Sequence, residues 1–303
     1  MTPTFEIAPV GDYSLEESAR FVDGWHESPS EGGKTLGHLH LAFLTDDDFG
    51  PAGVCLTQDA TGPVRGTVYG AAGADVVSKQ VSRILSLDVD GRGWPAVGER
   101  DPVVGKVQRM HPGFRPVNWS NAYDAAAWCL ISARISIRQG QAVKERMCRE
   151  LGEPVDVHGH RLFCFPGPAA IVQLREFKGV FARKVEYLNA LAVAALRGDL
   201  DTETLRAMPR EAALEALERL PGIGEFASNL VRLRALSAVD ELPAREPRLA
   251  DAVRAAYGLG ALPDLEQLSA IAEGWRPYRM WAAVCFRRSM AGGAGMMHSR
   301  AAG

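Results

Sequence analysis

No Cys-x-x-Cys pair occurs in this chain. Its five cysteines, Cys55, Cys129, Cys148, Cys164 and Cys285, are odd in number and scattered. That argues against a disulfide framework, a zinc ribbon or a four-cysteine iron–sulfur cluster. Two histidine pairs, His38/His40 and His158/His160, have no companion ligand close by in sequence, so no metal site is expected. Any apolar run of bilayer-spanning length is also missing. The first residues, MTPTFEIAPVGDYS, lack a basic stretch followed by an apolar one. These absences predict a soluble, cytoplasmic chain with no membrane partner.

What is present is ordinary globular composition. The 303 residues are 47% hydrophobic and 23% charged, with 31 Gly and 18 Pro, enough for two domains or one large one with a real core. Net charge is −3, but it is divided unevenly. Residues 1–109 carry 9 Lys/Arg against 16 Asp/Glu, and residues 110–303 carry 25 against 21. Only three of those 25 cations are lysine. Arginine is the better fork for phosphate, although so small an excess is weak evidence for a nucleic-acid partner.

Strand and helix patterns alternate through the first hundred residues. FEIAPV, HLHLAFLT, AGVCLTQ and PVRGTVYGA read as strands. SLEESARFVDGW and ADVVSKQVSRILSLDVD have helical spacing, the first with Ser14 as N-cap candidate. After HPGFRPVNWSN nearly every segment has helical period, including AAAWCLISARISI, QAVKERMCRELG, AAIVQLRE and ARKVEYLNALAVAALRG. PVDVHGHRLFCFPGP reads as a short hairpin insert. The expected fold is an α+β N-terminal domain with a small antiparallel sheet over 1–110, an all-α domain over 111–290 and a disordered Gly/Ala-rich tail over 291–303.

One turn stands out. REAALEALERL ends at Leu220, Pro221-Gly222-Ile223-Gly224 reverses the chain, and EFASNLVRLRAL resumes helical period. Two glycines permit unusual backbone angles and leave no Cβ to block a close visitor. The helix that starts there aims unpaired N–H groups and a positive dipole end at the turn, which suits a phosphate. The same geometry also serves as a plain corner between packed helices. LPGIG between two helices resembles the helix-hairpin-helix motif of DNA repair enzymes. With AREPRLADAVRAAYGL and GWRPYRMWAAV following it, the chain resembles the AlkA-type alkylpurine DNA glycosylases.

Pro247 suits the first helical position and makes Glu246 the N-cap, where the dipole favours a charged carboxylate. Glu is not among the preferred caps, so capping alone explains it poorly. Acidic helix starts are nevertheless common. The resemblance places Glu246 in the role of the catalytic carboxylate, which steadies the oxocarbenium-like sugar as the base leaves. This chain has Glu where the family has Asp. Arg245 and Arg248 flank it and are expected to hold it ionised or to grip backbone phosphates.

The resemblance implies double-stranded DNA as partner, base excision without strand cleavage, and a monomer. It implies no cofactor beyond a monovalent cation at the hairpin carbonyls. Phe226 stands where lyase-type members carry the Schiff-base lysine. Phe226, Leu230 and Arg287 match pocket positions that are aromatic in the family, and Trp281, Trp119 and Tyr123 are further candidates for facing a flipped base. Arg134 matches the loop residue that wedges into the base stack, a role an arginine can fill. The competing expectation is a DNA-binding protein that kept the hairpin and lost the chemistry.

Overall fold

The computed structural model describes residues 2–24, 37–60, 62–244 and 246–299. The chain opens with β1 (Thr4–Ile7), α1 (Leu15–Gly24), β2 (His38–Leu44), β3 (Pro51–Gln58), β4 (Val64–Gly70) and α2 (Ala74–Ile84). The strands form one antiparallel sheet in the order β1-β4-β3-β2, as their alternating pattern predicts. Register sets His40 opposite Cys55 and Ala42 opposite Gly53. Because side chains alternate between faces, Leu39, Leu41 and Phe43 join Val54 and Leu56 beneath Leu15 and Val22 of α1 and Val77 and Val81 of α2. Ala42, Leu44 and Cys55 turn the other way and belong to one core with Trp128, Val155 and Val157 from the later chain.

Two short helices outside the segments read as helical from the sequence come next, α3 (Trp94–Arg100) and α4 (Pro102–Met110). Pro95 and Pro102 read as breakers, yet both sit in a first turn where the missing N–H costs nothing. Asp101 caps α4 by accepting from the N–H groups of Val103 and Val104. Past α4, where the sequence changes character, Arg115 is fully buried. Its guanidinium donates to the carbonyls of Val10, Asp12, Ser86 and Val89. One cation therefore stitches the loop HPGFRPV to two earlier segments, the β1–α1 loop and the loop after α2.

The remainder is helical apart from one hairpin: α5 (Ala122–Ser132), α6 (Ile137–Leu151), β5 (Pro154–Val157), β6 (His160–Phe163), α7 (Pro168–Ile171), α8 (Ala182–Leu196), α9 (Thr202–Ala207), α10 (Arg210–Glu218), α11 (Glu225–Arg234), α12 (Pro247–Tyr257), α13 (Leu265–Glu273) and α14 (Arg279–Ser299). Every residue from Ala122 to Ile131 is buried, so α5 is a central helix, buried on every side, with its one charge, Asp124, paired to Lys144. Three expectations need correction. The run AAAWCLISARISI breaks at Ser132, and AAIVQLRE is helical only to Ile171. The tail is helical to Ser299 rather than disordered from 291; residues 300–303 lie outside the described residues. No described helix is long and apolar enough to cross a membrane.

Candidate active site

The LPGIG turn joins α10 to α11 as expected. Gly222 has φ +85, and a Cβ there would meet Leu130 of α5 at 2.8 Å and overlap the Tyr187 ring of α8. The glycine is thus required by packing as well as by backbone. Ile223 anchors the turn in the core at 5% exposure, while Pro221, Gly222 and Gly224 face solvent. Gly224 is the N-cap of α11 with φ −112, and a Cβ on it would meet nothing within 4 Å. No side chain caps α11 at Gly224. Ser228 donates to Glu218 Oε1 at 2.6 Å, clipping the two hairpin helices together.

Beside the turn lies the loop between α5 and α6, which holds Arg134. This residue is exposed and sits at φ +59, a left-handed angle uncommon for a residue with a side chain. Lys184 of α8 braces the loop, its ammonium donating at 2.7 Å to the carbonyls of both Ile131 and Ala133. Partial burial lowers the Lys184 pKa. On the far side Ser136 and Gln139 form a reciprocal capping box that fixes the start of α6. The sequence singled out Arg134 but neither Lys184 nor Tyr187. Both carry helical period and no further signal.

Glu246 is the N-cap of α12, and its Oε1 accepts from the backbone N–H of Arg248 at 3.3 Å. Its side chain is 12% exposed. It does not stand free. Arg287 of α14 brings Nε to 2.8 Å from Oε2, and Arg248 brings Nε to 3.4 Å from Oε1. Arg287, expected only as a lost aromatic, is therefore the carboxylate's main partner. Arg248 is exposed, and Arg245 lies outside the described residues.

Of the aromatic candidates, Phe226 alone is open, at 57% exposure on the first turn of α11. Trp119, Tyr123 and Trp281 are corrections, being core residues at 2%, 0% and 0% exposure. Trp119 stacks on Trp128 and lies under the Lys144 ammonium at 4.2 Å. Tyr123 donates its hydroxyl to the carbonyl of Pro166. Trp281 packs against Trp94, Tyr278 and the Arg115 guanidinium. Leu230 is half-buried against the core.

The histidine pairs also need correction. The fold brings His38, His40, Cys55 and His158 together with all four donor atoms within 4.8 Å of one another, so each pair does have companions.

No family model matches the chain. It is 21% identical over 211 residues to the DNA-3-methyladenine glycosylase of Bacillus subtilis, covering 68% of this chain and 69% of that protein. It is 26% identical over 190 residues to DNA-3-methyladenine glycosylase 2 of Escherichia coli, covering 59% and 61%. The solved 3-methyladenine DNA glycosylase of Archaeoglobus fulgidus superposes with a TM-score of 0.76 at 18% identity, over 95% of this chain and 98% of that one. The chain has the fold of the AlkA-type helix-hairpin-helix glycosylases. Three parts of this fold stand out at its surface: the glycine turn, the α5–α6 loop and the head of α12. Here each of the three presents an arginine or an uncapped helix end.

Proposed function

We propose that this chain is a DNA glycosylase that removes alkylated purines by hydrolysing the N-glycosidic bond. The observation that carries this reading is an exposed, uncapped glycine turn followed by a carboxylate at the head of the next helix. The turn holds a strand by its phosphate with backbone N–H groups, sequence-independently. Phe226, exposed one residue past the start of α11, supplies an aromatic face for a base turned out of the stack. Arg134 enters the space the base leaves, held by a loop that Lys184 braces.

Glu246 then acts on the sugar. Alkylation that leaves a positive charge on a purine makes the base a good leaving group. It departs with the bonding electron pair, and positive charge grows at C1′. A fixed carboxylate beside that charge lowers the barrier and orients the water that adds to C1′. Arg287 and Arg248 pair with the Glu246 carboxylate in the free protein. Bound DNA gives both arginines phosphates to pair with, releasing the carboxylate toward the sugar. The pairing thus serves as a resting state of the site.

Phe226 at the position of the lyase lysine supports base removal without strand cleavage. At the turn, the carbonyls of Pro221, Gly222 and Ile223 accept no hydrogen bond among the described residues. They fit a monovalent cation, which would add positive charge for the phosphate. A binder without chemistry is the second reading, favoured only by the Arg287–Glu246 pair. Methylated duplex DNA incubated with the protein and then treated with alkali decides between them. Breaks at abasic sites that vanish with Glu246→Gln support the enzyme. Salt-dependent binding without base release supports the binder, and a borohydride-trapped adduct would overturn the hydrolysis-only mechanism.

A further inference from the structure

The strand pair β2–β3 and the β5–β6 turn are far apart in the chain and meet at one cluster. His38 Nδ1 lies 3.1 Å from Cys55 Sγ. Cys55 Sγ lies 3.6 Å from His158 Nδ1, and His158 Nδ1 lies 3.3 Å from His40 Nε2. We propose that His38, His40, Cys55 and His158 form a transition-metal site of the kind Zn2+ fills, clamping the β5–β6 hairpin onto the four-stranded sheet.

The spacing matches the chemistry. Tetrahedral zinc with Zn–N near 2.0–2.1 Å and Zn–S near 2.3 Å sets its donors about 3.3–3.6 Å apart; three of the donor pairs here are 3.1, 3.3 and 3.6 Å apart, and all four donors lie within 4.8 Å of one another. One thiolate with three imidazoles is a borderline-soft donor set that suits zinc or cobalt and not magnesium or calcium. Four protein donors complete a tetrahedron, so the site is closed and structural, with no open position for a substrate. Binding requires the Cys55 thiol to lose its proton to solvent.

The backbone is arranged for the same end. His38 and His40 stand two apart on β2 and so share a face, and Cys55 faces the same way directly across from His40. His158 and Gly159 form the two-residue turn at φ +49 and φ +83. Both are left-handed positions where a hairpin prefers Asn-Gly. A histidine there reaches over the sheet to the other three. The sheet is shaped to receive it, since a Cβ on Gly53 would meet Val155 at 2.7 Å and overlap Val157. His40 is 1% exposed, and its Nδ1 has no hydrogen-bond partner. His160 lies tilted against His40, ring centroids 4.9 Å apart, as an outer neighbour.

The test uses the full chain stripped of metal, with Zn2+ and Co2+ as probes and no reliance on base excision. One Zn2+ should bind per chain in competition with a chromophoric chelator. Co2+ should give a thiolate charge-transfer band. Cys55→Ser should abolish that band, and His158→Ala, in an exposed turn, should weaken Zn2+ by about 100-fold or more, beyond the 10–100-fold typical of losing an outer partner. Both variants should keep the far-ultraviolet circular dichroism of the parent. Absence of stoichiometric Zn2+ binding overturns the proposal, as does a band or an affinity that survives both substitutions.

Discussion

The carboxylate of Glu246 shows how much one side chain's setting matters. Its position after LPGIG and before Pro247 was legible in the sequence, because an acidic residue at a proline-marked helix start is a local pattern. Its partner was not, since Arg287 lies 41 positions further on and nothing in α14's sequence says which way that guanidinium turns. Glu246→Gln should keep DNA affinity and lower single-turnover base release by about 100-fold or more, the scale set by removing a transition-state charge partner. Arg287→Met should cost about 1–2 kcal/mol in chemical denaturation. That is less than the roughly 3–5 kcal/mol of a fully buried pair, because Arg287 is about one-third exposed. In a Glu246→Gln background the same change should cost clearly less. Equal costs in the two backgrounds would show that the ion pair contributes nothing. Aromatic side chains were the least legible residues. Trp119, Tyr123 and Trp281 look the same in sequence whether they line a cleft or fill a core, and all three fill the core.

At the level of elements, the hairpin was the most readable feature, because two glycines and two flanking helical periods are all local. Its two glycines do different work, and substitution separates them. Gly222→Ala meets Tyr187 and Leu130 and forces a left-handed angle on alanine, so thermal denaturation should show a loss above about 1 kcal/mol. Gly224→Ala has open space and an accessible angle. Stability should fall by less than about 1 kcal/mol, while affinity for duplex DNA, measured by fluorescence anisotropy, should drop because a methyl group crowds the phosphate seat. If Gly224→Ala binds DNA as the parent does, the turn is a corner and not a cradle. The helices α3 and α4 escaped sequence reading for a definite reason. Proline is a breaker within a helix and a starter at its first turn, and only the structure distinguishes the two at Pro95 and Pro102.

Across the whole molecule, the antiparallel sheet and the helical remainder were both legible from period alone, whereas their union was not. Cys55 is 103 residues from His158, and His40 is 118 from it, separations that no local pattern bridges. Gly53 is where the close packing can be tested. Gly53→Ala should wedge Val155 and Val157 off the sheet, lower stability by about 1–3 kcal/mol as overpacking does, and weaken Zn2+ binding together with it. A shared core also constrains how this protein can be trimmed. Ala42, Leu44 and Cys55 pack in one body with Trp128 and Leu130, and Arg115 spends its donors on carbonyls of the first ninety residues. A fragment starting at residue 111 would keep the glycine turn and Glu246, yet it would present a raw greasy seam and an idle buried cation. It should clump on expression instead of behaving as a minimal enzyme.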